Sequence, residues 1–111
     1  MLPASARLRK SSDISAVMKS GTRFSAKLVV LHVAHGSSEH TKVAFAVGKN
    51  VGNSVVRHRV TRQLRHAITP LINNFPTGSH VVVRALPDAN QASFAQLSEN
   101  LKFAISKVAK S

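Results

Sequence analysis

The chain has 111 residues, 16 of them Lys or Arg against four acids, for a formal charge of +12 with neutral His. That length fits one domain around one core, spanning 1–111, and 43% apolar residues is more than a disordered basic tail carries. A positive excess of this size repels itself and calls for a polyanion, nucleic acid first and an anionic membrane surface as the competitor.

There is no cysteine, which excludes a disulfide framework and a thiolate metal site. Residues 1–10 lack the apolar run of a signal peptide, and no stretch of 18 apolar residues could span a bilayer. The expectation is a cytoplasmic protein with no membrane association.

In chain order, a basic lead (Arg7, Arg9, Lys10) precedes a short helix with Ser11 or Ser12 as N-cap and Gly21 as its stop. Ile14, Val17 and Met18 form its apolar stripe. Residues 27–34, KLVVLHVA, read as a buried strand, and 36–39 as a turn. Over 41–47 the alternation sends Val43, Phe45 and Val47 one way and Ala44 and Ala46 the other. A loop with two glycines, 48–53, leads to a helix over 54–68 capped by Asn53, which Pro70 ends or kinks. Residues 80–86 are a further strand, followed by a Pro87-Asp88 turn. Ser93 and Gln96 have capping-box spacing, and Phe94, Leu97, Leu101, Ile105 and Val108 make the stripe of a last helix. Helix, two strands, helix, strand, helix is an α+β sandwich of one sheet and packed helices, with no internal repeat and no linker.

The helix over 54–68 carries the chemistry. At about 100° per residue, Val56, Val60, Leu64, Ala67 and Ile68 gather on one side. His58, Arg62 and Arg65 gather opposite, with Arg59 and His66 beside them and Arg57 near the apolar border. No acid lies between Lys42 and Pro87, so these arginines have no local salt-bridge partner in sequence. A guanidinium fork suits phosphate oxygens, and a solvated helix face usually mixes signs. The preceding glycines let backbone N–H groups approach a phosphate, with Lys49 adding charge beside a helix N-terminus. A plain strand-to-helix turn is the other reading of that loop, and it is not a Walker loop.

Residues 45–65, FAVGKNVGNSVVRHRVTRQLR, resemble the signature of the protein subunit of bacterial ribonuclease P, S-V-x-K-K-x-G-x-A-V-x-R-N-R-x-x-R-x-x-R. The stretch from Arg7 through Phe24 is similar to that family's opening. The resemblance implies a two-layer α-β sandwich with a left-handed βαβ crossover, the ribosomal S5 domain 2-like arrangement. It implies an RNA-binding subunit that assists a catalytic RNA in removing the 5′ leader from precursor tRNA. Lys49, Asn53, Arg57, His58, Arg59, Arg62 and Arg65 would contact the catalytic RNA. A cleft between the first helix and the sheet would hold the leader, over Ile14, Met18 and His32. The partners implied are the ribonuclease P RNA and precursor tRNA. The protein alone would bind no cofactor, and Mg²⁺ would act through the RNA subunit.

The sequence departs from the family pattern at several points. His58 stands where the family has Asn, and Asn50 where it has a second Lys. Ile14, Met18 and His32 stand where it tends to place aromatics, which weakens base stacking on the leader.

A protein-only active site is not expected, and neither catalytic residues nor metal ligands are assigned. His32 and His35 point to opposite faces of a strand and cannot share a metal. His58 and His66 lie about 12 Å apart along a helix. The four acids, Asp13, Glu39, Asp88 and Glu99, fall in four different elements, whereas a two-metal nuclease needs them clustered. The alternative class is a ribosomal or translation-factor-like RNA binder without a role in cleavage. A helix-turn-helix DNA regulator is disfavoured because a strand precedes the arginine helix where a partner helix should be.

Overall fold

In the computed structural model, residues 4–35 and 40–110 are described; the turn expected at 36–39, and Glu39 with it, lies outside them. The elements are α1 (Ser11–Ser20), β1 (Thr22–Ser25), β2 (Val29–His35), β3 (Lys42–Ala46), α2 (Ser54–Ile68), β4 (Ser79–Ala85) and α3 (Phe94–Lys110). Short 3-10 turns cover Ala4–Ala6, Thr69–Asn74 and Pro87–Gln91.

One sheet has the order β1-β2-β4-β3. β4 is antiparallel to β2 and parallel to β3, so β3, α2 and β4 form the βαβ crossover. Strand alternation sorts the two faces. Val29, Leu31, Val43, Val81 and Val83 pack under α2 and α3 against Val60, Leu64, Leu97 and Leu101. The opposite face is covered by α1 and the segment before it, where Leu8, Val17, Ala44 and Val82 form a smaller cluster with Ile14 and Met18 against it. The expected alternation in β3 holds: Val43, Phe45 and Val47 meet the large cluster, Ala44 and Ala46 the small one.

Four local expectations change. The sheet gains β1, whose four residues bury only Phe24 and so carry no readable alternation. The N-cap of α1 is Lys10, without a side-chain cap hydrogen bond, because Ser11 and Ser12 already lie inside the first turn. Gly21 does stop α1, but with φ −71, so it is not there for left-handed freedom. A Cβ at Gly21 would sit 2.4 Å from the Val17 carbonyl oxygen and 3.0 Å from that of Val33, so close approach is what requires glycine. Phe94 opens α3 and is 46% exposed rather than core, since the packed stretch begins one turn later at Leu97.

The remaining boundary signals hold. Asn53 Oδ1 accepts from Val56 N at 3.0 Å. Ser93 and Gln96 close the capping box reciprocally, at 2.9 and 3.1 Å. Pro70 lies in the 3-10 turn that follows α2. Gly78 has φ 83, a left-handed conformation that favours glycine, just before β4.

Candidate nucleic-acid interface

α2 is anchored by Val60, Leu64, Ala67 and Ile68, all buried. Anchoring that side fixes what the other sides show. The open crest holds Val55, His58, Arg59, Arg62 and His66, all exposed, with Val55 at 75%. Arg57, Thr61 and Arg65 are spaced four apart along the flank beside β3 and are half-buried. The Arg65 guanidinium lies 5.8 Å from the centre of the Phe45 ring. Arg65 is therefore not on the open crest where helical spacing alone sets it. It leans onto β3, near the outer limit of a cation–π contact. On the other flank, Arg59 donates to the carbonyl oxygen of Asn90, in the turn that precedes α3.

The loop before α2 is held from below. Val51 is buried, and its N–H donates to the Gly48 carbonyl at 3.1 Å. Gly52 packs so closely on α2 that a Cβ would fall 2.8 Å from the Val56 side chain. Lys49 and Asn50 are left exposed at the loop tip. Asn53 spends its side-chain oxygen on capping α2. Of the seven residues expected to meet RNA, Lys49, His58, Arg59 and Arg62 thus lie open. Arg57 and Arg65 are half-buried on the flank beside β3.

Ile14, Met18 and His32 share the layer between α1 and the sheet. Ile14 and Met18 are half-buried against the small cluster, and His32 is only 6% exposed. Burial is the main cause that holds the His32 pKa below 6.5, followed by the charges of Arg84 and Arg23. Register explains those two neighbours: Arg23 pairs with His32 across β1 and β2, and Arg84 pairs with Val30 across β2 and β4. Sequence reasoning misses both arginines. Arg84 carries a usable signal, as the one charge inside the apolar run HVVVRAL; Arg23 sits in a strand too short to recognise.

Among the described residues, no three His, Asp or Glu side chains are grouped to hold a metal ion. Among them too, no helix is long and apolar enough to cross a membrane.

The family model described as Ribonuclease P matches residues 2–109. The chain belongs to the Ribonuclease P family. The ribonuclease P protein component of Acidothermus cellulolyticus is 41% identical over 100 residues, covering 88% of this chain and 83% of the relative. That of Mycobacterium sp. (strain KMS) is 39% identical over 107 residues, covering 95% and 91%. The ribonuclease P protein of Staphylococcus aureus superposes with a TM-score of 0.82 at 22% identity, over 95% of each chain. The one from Thermotoga maritima gives 0.81 at 18%, over 92% of this chain and 96% of that one. These structural likenesses support the α+β fold.

Proposed function

We propose that this chain is the protein subunit of ribonuclease P and binds the catalytic RNA through the crest of α2 and the 48–53 loop. The observation that carries the reading is family membership over nearly the whole chain, joined to a helix that leaves His58, Arg59, Arg62 and His66 open with no acid between Lys42 and Pro87. The ribosomal or translation-factor-like alternative is not favoured by these relatives. In the holoenzyme the RNA subunit and its Mg²⁺ supply the hydrolysis. The protein supplies charge neutralisation and substrate positioning. Arg57 and Arg65, held at their bases by packing, aim forks at phosphates with less freedom to lose than a surface lysine. The 5′ leader of precursor tRNA runs over the α1 side of the sheet, past Ile14, Met18 and His32, in the cytoplasm.

The test is precursor-tRNA cleavage at low Mg²⁺ with the protein, with a bacterial ribonuclease P RNA, and with both. Cleavage is expected only when the RNA is present, and faster with the protein added. Robust metal-dependent cleavage by RNA-free protein, or no effect of the protein on the RNA's activity, would overturn the reading.

A further inference from the structure

α2 and α3 start at the same end of the sheet. β3 and β4 are parallel, and each is followed by a short connection and then a helix, 48–53 before α2 and Pro87–Gln91 before α3. The side chain of Arg59 on α2 donates to the Asn90 carbonyl oxygen in the second connection, which ties the two helix starts together. The flank of α3 that faces α2 follows from what its opposite flank touches. There, Asn100 Oδ1 accepts from Leu28 N at 2.9 Å and Lys107 Nζ donates to the Ser25 carbonyl oxygen at 2.7 Å. Phe94 lies about 120° round the helix from Asn100, beyond the buried stripe of Leu97 and Leu101 and towards α2.

Among the described residues, three large apolar side chains are exposed: Val55 at 75%, Phe103 at 55% and Phe94 at 46%. Two of them belong to the tied helix starts. Val55 precedes Arg59 by one turn of α2, and Phe94 follows Asn90 by four residues. Arg59 therefore has an open aliphatic side chain on its own helix and an open aromatic ring on the next. The nearest acid in sequence to Phe94, Asp88, lines a depression with Lys27, Leu28, Glu99 and Asn100, on the β1–β2 flank of α3. Both acids of this region thus lie on the far side of α3 from Arg59.

We propose that Phe94 is a stacking platform for one unpaired base of the bound RNA, with Arg59 on the adjoining phosphate. This carries the α2 interface proposed above onto the start of α3, and it rests on that reading for the RNA itself. A ring is sequence-tolerant, because every base has a π face. Arg59 has five N–H donors and gives only part of them to Asn90, so a fork remains for phosphate oxygens. The tie to Asn90 fixes the spacing of guanidinium and ring before RNA arrives, which lowers the ordering cost of binding. The arginine crest explains why a polyanion comes to this end of the molecule, and the exposed ring beside it accounts for an unpaired base.

The experiment uses the full chain and a bacterial ribonuclease P RNA. The chain has no tryptophan, so Phe94→Trp places a single indole at the platform, and Phe103→Trp places one on the opposite side of the same helix. RNA is expected to quench the first and leave the second nearly unchanged. Phe94→Leu keeps an apolar side chain at the helix tip but has no ring face. It should weaken RNA binding about tenfold, within the range for one stacked base, while the thermal midpoint stays near the parent's. Its plot of log affinity against log salt should keep the parent's slope, because no phosphate contact is removed, whereas Arg62→Ala flattens that slope. Unquenched Phe94→Trp at saturating RNA would overturn the platform, as would parental affinity in Phe94→Leu. Self-association of the RNA-free protein that Phe94→Leu abolishes, with RNA affinity unchanged, would give the patch to a second copy of the chain instead. In each of those cases a weakened Arg62→Ala leaves the proposed function standing. A parent that does not bind the RNA sinks both.

Discussion

The Arg59 guanidinium donates to the main-chain carbonyl of Asn90, tying the arginine helix to the turn that launches α3. One side chain of the crest is therefore also a strut, whereas Arg62, nearly one turn on, stands exposed on the crest.

That difference separates two alanine variants. Arg59→Ala should weaken RNA binding and also lower folding stability by about 1 kcal/mol, through the missing hydrogen bond. Arg62→Ala should weaken RNA binding with stability unchanged. Thermal unfolding of both, beside filter binding, checks this; equal stability losses in the two variants would refute it.

Arg62 and Arg65 should act on RNA chiefly through phosphate. Each alanine variant should bind more weakly across RNA sequences. Each should also flatten the plot of log affinity against log salt, by up to about 0.9 for every phosphate no longer neutralised, the limit for B-DNA. Arg65→Ala should lose some stability as well, because its guanidinium rests over Phe45. A salt slope unchanged in both would make α2 a solvated face.

The depressed pKa of His32 sets an acid limit on the free protein. The folded state holds its proton less tightly than the unfolded chain, whose His titrates near 6.5. The stability associated with neutral His32 is therefore complete above pH 6.5 and is lost as pH falls from 6.5 towards the lower folded value. His32→Phe should flatten that part of the stability profile. Denaturant midpoints measured at several pH values decide it, and a profile parallel to the parent's would reject the assignment to His32.

Met18 bears on the leader path. Met18→Phe should tighten precursor tRNA binding more than mature tRNA binding, since stacking on an aromatic contributes roughly 1–3 kcal/mol per base. If Met18 serves only the small cluster with Val17 and Val82, the same change over-packs it and costs roughly 1–3 kcal/mol of stability. A destabilised protein with an unchanged precursor-to-mature ratio would end the assignment of Met18 to the leader path.

Gly21→Ala should destabilise the fold by about 2 kcal/mol, because the new methyl meets two main-chain carbonyl oxygens rather than a flexible side-chain tip. Chemical denaturation would show it. A neutral result would mean that α1 and β2 separate at little cost.

The parts of this fold that are legible in the sequence are those written in local chemistry. α2 runs over 54–68 as its apolar spacing and the Asn53 cap require, and α3 begins at its capping box. β1 is hidden because four residues with one buried side chain leave no period to detect. Phe94 reads as core because it shares the stripe of Leu97 and Leu101, yet it sits at the helix tip beyond the packed layer. The crest of α2 follows from helical spacing, but the lean of Arg65 depends on where Phe45 lies across the chain. Arg23, His32 and Arg84 come together only through strand register, a relationship between residues far apart that no local pattern encodes.

β4 sits between β2 and β3, so its ladders join Val29 to Ala85 and Lys42 to His80. Both ladders enclose the whole of α2 within the loops they close. The arginine helix can form early from local contacts, but the sheet beneath it must wait for a long chain segment to return. Until then, the like charges of that segment push its own ends apart. A polyanion in the refolding mixture should thus hasten closure, and the RNA that the protein serves would also be a chaperone for its slowest strand.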